Sequence, residues 1–389
     1  EAMRVVRGIW PYQDPGRLVA DRLGINDART TITSIGGNEV FDLTIDTAAR
    51  MQNGELDVAV ICAAETLRTR RRDHAAGRRT DYVSEAPGAV ADEAAGVEKP
   101  TSSAEEDEIG IGRSAVSFYS AVESAIRHAD GGGVDAHRKR IGALWQRANA
   151  VAVENPRAWI RDPMTADDIA TPSRRNRMVS DPYPKLMTAN VNVDQSAAIV
   201  MMSAGAAENA GVPRSQWVFP HAGVGAHDHW YATNRWALHE SPAMRLAGRR
   251  ALELASLGVD DLRFIYLYSC FPSAVQVAQA ELGIDAERDF TVTGGLTFAG
   301  GPLNCYCMLS LVRTVELLRE QPSERALVTG NGGFFTKHSF VVLAAEPPPS
   351  GFVTDSGMRE HPLAARNARV LGSTRRHHDD RRALVDVHV

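Results

Sequence analysis

The chain has 389 residues, 44% of them hydrophobic and 23% charged, an ordinary globular mixture long enough for two or three domain-sized units. Its formal net charge of −5 sets up no global field that favours nucleic acid or an anionic membrane. No apolar run approaches the length of a bilayer span, and the opening "EAMRVVRGIWPYQDP" lacks the charged-then-apolar pattern of a secretory signal.

In chain order, the β-branched run TTITSI (Thr30–Ile35) predicts a short strand. The turn GGNE follows, and VFDLTIDTAARMQNGE carries apolar residues at helical spacing as far as Asn53-Gly54. LDVAVICAAE is a continuous apolar run, as expected of a strand covered on both faces. His74 to Glu108 is rich in Ala, Gly, Glu, Ser and Pro without periodicity, which predicts a mobile surface loop. Ser114–Arg127 and Val134–Val153 predict amphipathic helices, and DQSAAIVMMSAGAAENAG a strand with a short helix closed by Gly211. Farther on, FTVTGG (Phe290–Gly295) predicts a strand and turn, NCYCMLSLVRTVELLREQ a helix, and RALVTGNGG (Arg325–Gly333) a strand ending in glycines. This repeats the order strand, glycine turn, helix, strand, so an internally duplicated α/β protein is expected. Beyond Pro347 the pattern is lost, and TRRHHDDRR belongs to a charged tail.

Four cysteines (Cys62, Cys270, Cys305 and Cys307) make no disulfide framework in so long a chain. Cys305 and Cys307 lack the Cys-x-x-Cys spacing and the matching second pair of a structural zinc site. A reduced, cytoplasmic protein without structural metal is therefore expected. His221, His227 and His229 in FPHAGVGAHDHW resemble metal spacing, but neither a helix nor a fourth ligand accompanies them.

The glycine loops, the duplication and YSCFPSAVQ together resemble the thiolase superfamily, with a closer likeness to its sterol-carrier-protein-type and thiolase-like branch. DQSAAIVMMSAGAA is similar to that family's NDGAAAVLLMS, and YSCF (Tyr268–Phe271) stands where thiolases have NEAF or HDCF. GGLTFAGGP stands in the place of GGxxxxGHP, and VTGNGG in the place of a cysteine followed by glycines. The resemblance implies a five-layered αβαβα fold of two similar halves, and coenzyme A or an acyl-CoA as ligand or substrate. It also implies that the opening strand and helix of the first half are missing, which would leave a sheet edge unpaired. On this reading residues 1–75, completed by 190–212, form the first half and 76–189 an inserted loop region. Residues 213–347 form the second half, and 348–389 an unstructured charged tail. A homodimer through the sheet edge of the first half, or a small partner subunit, is the implied assembly.

Thiolase chemistry needs a cysteine nucleophile at a helix N-terminus, an activating histidine, a second cysteine for the proton and two oxyanion holes. Counting from MQNG, the nucleophile position falls at or beside Gly37; the histidine of GHP corresponds to Gly301, the second cysteine falls near Thr329 and the asparagine of NEAF becomes Tyr268. All four depart from the pattern, so ordinary thiolysis is expected to be lost or much reduced. The residues matching a pantetheine channel are Phe118, Tyr119, Asn190, Asn192 and Phe271, with the glycine loops at Gly37 and Gly301. Two other chemistries stay open. Cys270 with His338 would be a relocated nucleophile and base for an acyltransferase, although a buried free cysteine is commonly just packing. Tyr268 would be an acid–base group of a retro-aldolase, although a tyrosine is also a good core residue when its hydroxyl is satisfied. The run Arg68–Arg72 (RTRRR) could meet CoA phosphates, although a solvated charge run on a loop is the commoner meaning of such a stretch.

Overall fold

The computed structural model describes residues 1–112 and 114–355. Strand β1 (Ala2–Val6) leads to helix α1 (Pro15–Arg22), then β2 (Arg29–Thr33), α2 (Glu39–Gln52) and β3 (Val58–Thr66). Next come α3 (Leu67–Ala75), the short β4 (Glu93–Ala95), α4 (Ala104–Glu108), α5 (Ala115–Ala129), α6 (Val134–Glu154) and α7 (Ala166–Ala170). A two-stranded piece, β5 (Met178–Ser180) with β6 (Tyr183–Pro184), precedes β7 (Asp194–Met202) and α8 (Ala204–Asn209). The rest runs β8 (Phe219–His227), α9 (Pro242–Leu254), β9 (Phe264–Tyr266), α10 (Pro272–Leu282) and α11 (Gly295–Phe298). It ends with α12 (Tyr306–Glu320), β10 (Arg325–Gly332), β11 (Lys337–Ala344) and β12 (Val353–Thr354).

Local chemistry sets the helix ends. Asp14 caps α1 by accepting from the Arg17 N–H and Pro15 takes the first turn, where its missing N–H costs nothing. Ser114 and Ser241 cap α5 and α9 in the same way, and Gly283 closes α10 in the left-handed conformation. Helix α2 buries Val40, Phe41, Leu43, Thr44, Ile45, Thr47 and Ala48, nearly its whole circumference. Such a helix belongs between two layers rather than on a surface.

The tertiary contacts place it there. α2 packs on β1, β3 and β7 of one sheet and on β8, β10 and β11 of the other, and α12 bridges β7 and β10 beside it. The first sheet has the order β4-β2-β1-β3-β7 and the second β12-β8-β11-β10-β9. In each half a helix enters a strand that pairs antiparallel with a later one: α2, β3 and β7 in the first, α12, β10 and β11 in the second. α1 covers the outer face of the first sheet, and α9 that of the second. The protein is a mixed α/β molecule of two similar halves, with its core between the sheets.

Several sequence expectations change. Strand β1 and helix α1, given no element above, stand at the centre and on the face of the first sheet, with β1 paired parallel to both β2 and β3. The outer edge of β7 carries no strand among the described residues, whereas its counterpart β11 carries β8. Residues 290–294 form bends, not a strand, because Thr291 turns its hydroxyl to the backbone N–H groups of Thr293, Gly294 and Gly295. The loop expected over His74–Glu108 contains β4, which belongs to the first sheet, and the helix α4 with a complete Ser103–Glu106 capping box. β12 adds Val353 and Thr354 to the second sheet beyond the boundary expected at 347. The remainder of the expected tail, from 356 on, lies outside the described residues. Among the described residues no helix is long and apolar enough to cross a membrane.

Candidate active-site region

The turn before α2 brings Gly36 and Gly37 against the end of β10. A Cβ built on Gly37 would lie 2.6 Å from the Tyr268 hydroxyl oxygen, 2.7 Å from its Cε2 and 2.5 Å from the Asn331 carbonyl oxygen. No side chain larger than hydrogen fits. The space that a nucleophilic side chain would fill at the start of α2 is taken by the phenol of Tyr268. Gly37 and the Tyr268 phenol therefore share one volume. The backbone N–H of Tyr268 donates to the Thr329 hydroxyl at 3.1 Å, so Thr329 helps hold the tyrosine in place.

Gly301 is less tightly enclosed. Its built Cβ would lie 3.1 Å from the Leu296 carbonyl oxygen and 3.3 Å from the Ala189 Cβ, so a side chain there would need both neighbours to give by a few tenths of an ångström. The main chain of Asn190 is laced to this loop: its N–H donates to Leu296 and its carbonyl accepts from Gly301, at 3.0 and 2.8 Å. Asn190 and Gly301 are thus brought together as expected from sequence, while Asn192 is exposed. Of the RTRRR run, which forms the exposed helix α3 rather than a loop, Arg68 lays its guanidinium over the Trp159 ring at 4.9 Å. Trp159 in turn abuts Gly300.

Phe118, Tyr119 and Phe271 also converge. Tyr119 stacks on Phe271 with centroids 4.7 Å apart, and Phe118 stacks on Phe334 at 5.5 Å. All three expected channel residues are buried, at 0%, 3% and 5% exposure, so in this conformation they pack on one another. The Asn331 amide donates to the Tyr119 hydroxyl at 2.8 Å, and its own Oδ1 is buried without a partner. Cys270 lies beside Tyr119, whose hydrogen bond partly offsets burial; the thiol is still pushed up to about 12. At neutral pH it is not a thiolate. Burial likewise holds the phenols of Tyr119 and Tyr268 well above their ordinary range.

His338 is not placed as a base for Cys270. Its Nε2 is engaged by Asp228 and by the Ser241 hydroxyl, each at 3.2 Å, and the ring meets Phe335 edge-on. Burial pushes the Asp228 carboxyl up, but His338 and Arg235 outweigh it and the group is lowered. This cluster sits under the first turn of α9, where Asp228 accepts from the Ala243 N–H. His221 donates its Nε2–H to the Glu346 carbonyl, and among the described residues no group of three His, Cys, Asp or Glu side chains could hold a metal ion. Cys305 and Cys307 are both buried, and burial raises both thiols.

Sequence reasoning missed Lys337 and Asn331. Lys337, 3% exposed, sends its ammonium to Glu39 at 2.8 Å, the Ile35 carbonyl at 2.7 Å and the Ser34 hydroxyl at 3.3 Å. It pins the glycine turn of the first half to the second sheet. A lone lysine at the head of the apolar run FVVLAA, in TKHSFVVLAA, was the available signal.

No family model and no curated protein sequence matches the chain. Solved structures do. A monomeric SCP2-thiolase-like protein type 1 from Mycobacterium smegmatis shares 28% identity over 95% of this chain and 72% of its own, with a TM-score of 0.78. The Ltp2–ChsH2(DUF35) aldolase shares 17% over 88% and 86%, with a TM-score of 0.63. The dimeric peroxisomal thiolase of Saccharomyces cerevisiae shares 14% over 89% and 84%, with a TM-score of 0.61. With its duplicated halves and its glycine loops meeting at the start of α2, the chain is a member of the thiolase-like superfamily.

Proposed function

We propose that this protein binds coenzyme A or an acyl-CoA in lipid or sterol metabolism and that ordinary thiolase chemistry is lost or much reduced. The observation that carries this reading is the Tyr268 phenol in the side-chain space of Gly37. Without an attacking thiol at a helix N-terminus, and with glycine in place of the activating histidine, acyl transfer to the protein has no nucleophile. What favours retained binding is the backbone. The main chain of Asn190 is bonded to the loop through Gly301, the Gly37 turn lies against Asn331, and Phe118, Tyr119 and Phe271 form one aromatic cluster. Arg68, stacked on the Trp159 ring that abuts Gly300, is a cation beside this loop for a nucleotide phosphate. Calorimetric titration with CoA and acetyl-CoA, beside a thiolysis assay with acetoacetyl-CoA, tests both parts. Heat of binding without turnover is expected; no heat at millimolar ligand defeats the binding claim, and turnover defeats the other.

A second reading is a retro-aldolase acting on a β-hydroxyacyl-CoA through Tyr268. A solved relative in fold is described as an aldolase with a DUF35 partner, and in this chain a second buried tyrosine, Tyr119, shares the neighbourhood of Cys270 with Tyr268. In such a step the β-hydroxyl loses its proton, the Cα–Cβ bond breaks, and a carbonyl compound leaves. The electron pair passes to the thioester enolate, which takes a proton at Cα. A phenol held protonated by burial suits donation to that enolate rather than removal of the first proton. Release of an aldehyde or ketone, abolished by Tyr268→Phe, is the distinguishing result. An acyltransferase using Cys270 and His338 is disfavoured, because the thiol is protonated and the imidazole is engaged with Asp228 and Ser241.

A further inference from the structure

The first sheet would end on β2, whose Thr30–Thr33 carries no charge and is buried. An uncharged open edge of this kind is a template for pairing with a second copy of the same chain. It is not open. Residues 92–96 lie along it: β4 pairs parallel with β2 in the register Thr31↔Glu93, Ile32↔Ala94 and Thr33↔Ala95, and Ser34 donates to the Ala95 carbonyl at 2.7 Å.

Side chains add to the backbone ladder in holding this segment; of Glu93–Ala95, Ala95 alone packs on the main core. The Asp92 carboxylate accepts from the Thr30 N–H at 2.8 Å and from the Thr30 hydroxyl at 3.2 Å, while the Asp92 N–H returns to that hydroxyl at 3.1 Å. Glu93 pairs with Arg29 and with Arg50 of α2, both at 3.1 Å, and accepts from the Thr31 hydroxyl at 3.3 Å. Upstream, Glu85 accepts from the N–H groups of Gln13 and Asp14 at the start of α1, which ties the approach to the same edge. The new outer edge is only three residues long and has the acidic pair Asp92 and Glu93 at its head. Both features discourage further strand addition.

We infer that residues 92–96 are a built-in edge strand that closes the first sheet against a second copy of the chain. The segment takes in cis the place that a partner's strand would take in a dimer formed through this edge. The inference is independent of ligand binding and of any chemistry at Tyr268.

Two variants test it: D92A/E93A, and a chain in which residues 92–95 are replaced by alternating glycine and serine. Mass is read by size exclusion with light scattering at matched concentrations, and exchange of the Thr31–Thr33 amides by mass spectrometry. The expected result is a rise from the unaltered chain's mass toward twice that mass. In dilute samples the three amides should exchange faster, and they should regain protection as the variants associate. Equal mass and equal exchange in both variants overturn the inference. Loss of the near-ultraviolet dichroism in both overturns it too, since the segment would then be part of the folding core and not an added strap.

Discussion

At the scale of single residues, Gly37 and Tyr268 compete for one volume, and their energetics should be coupled. Gly37→Cys alone forces the new side chain onto the tyrosine ring and should cost about 1–3 kcal/mol, the usual range for overpacking. Tyr268→Asn alone leaves a void beside Gly37. The double variant should be more stable than the sum of the two losses predicts, a coupling measurable by urea unfolding. Strict additivity would contradict the shared volume. Cys270 makes a second test. Its folded value of about 12 exceeds the ordinary 9.0, so between these limits the unfolded chain releases a proton that the folded chain keeps. Stability is complete below pH 9.0 and falls as pH rises, by about 1.4 kcal/mol per pH unit at most from this one group. Cys62, pushed up to about 11 by burial, acts in the same sense. Urea midpoints at pH 8 and pH 10 should differ with the lower value at pH 10; alkylation of native Cys270 at pH 8 should be slow.

At the scale of elements, one buried carboxylate gathers helices of the region between β4 and β7 onto the second half, beside other ties such as Trp145–Thr297 and Arg157–Glu316. Glu123 of α5 is fully buried and accepts from His137 of α6, Tyr183 of β6 and Gln276 of α10 at 2.6, 2.6 and 2.7 Å. Glu123→Ala would strand three donors in the interior and should cost about 3–5 kcal/mol, while Glu123→Gln, which keeps the shape, should cost less. Unfolding by denaturant measures both, and a neutral Glu123→Ala would show that the network does not fasten these helices. The long periodic helices were legible in the residues: α2, α5, α6 and α12 all stand where their apolar spacing placed them. The strand expected at Phe290–Gly295 was not, because a threonine side chain out-competes the ladder there. β4 escaped notice for the opposite reason. Three residues of Glu-Ala-Ala carry no strand signal, and only the waiting edge of β2 makes them one.

At the scale of the whole molecule, the two halves are joined through the turn before α2. Lys337 reaches across from the second sheet to Glu39, which burial and Asp42 push up and Lys337 pulls down. Lys337→Met leaves the glutamate buried without its cation and should cost about 3–5 kcal/mol, whereas Lys337→Met with Glu39→Leu should recover most of that loss. A single cooperative unfolding transition is expected of the unaltered chain, and two separated transitions for Lys337→Met would show that the halves had been uncoupled.

From residues alone the expectation of a duplicated α/β chain and the position of each glycine loop could be read, because these depend on order and spacing along one chain. Which distant side chains meet at those loops could not. That Tyr268 occupies the room of a side chain 231 positions earlier, that Lys337 pairs with Glu39, and that 92–96 closes an edge opened at Thr30 are all contacts between distant segments. Local propensity carries no information about such neighbours. Close packing of the two sheets around α2 decides them.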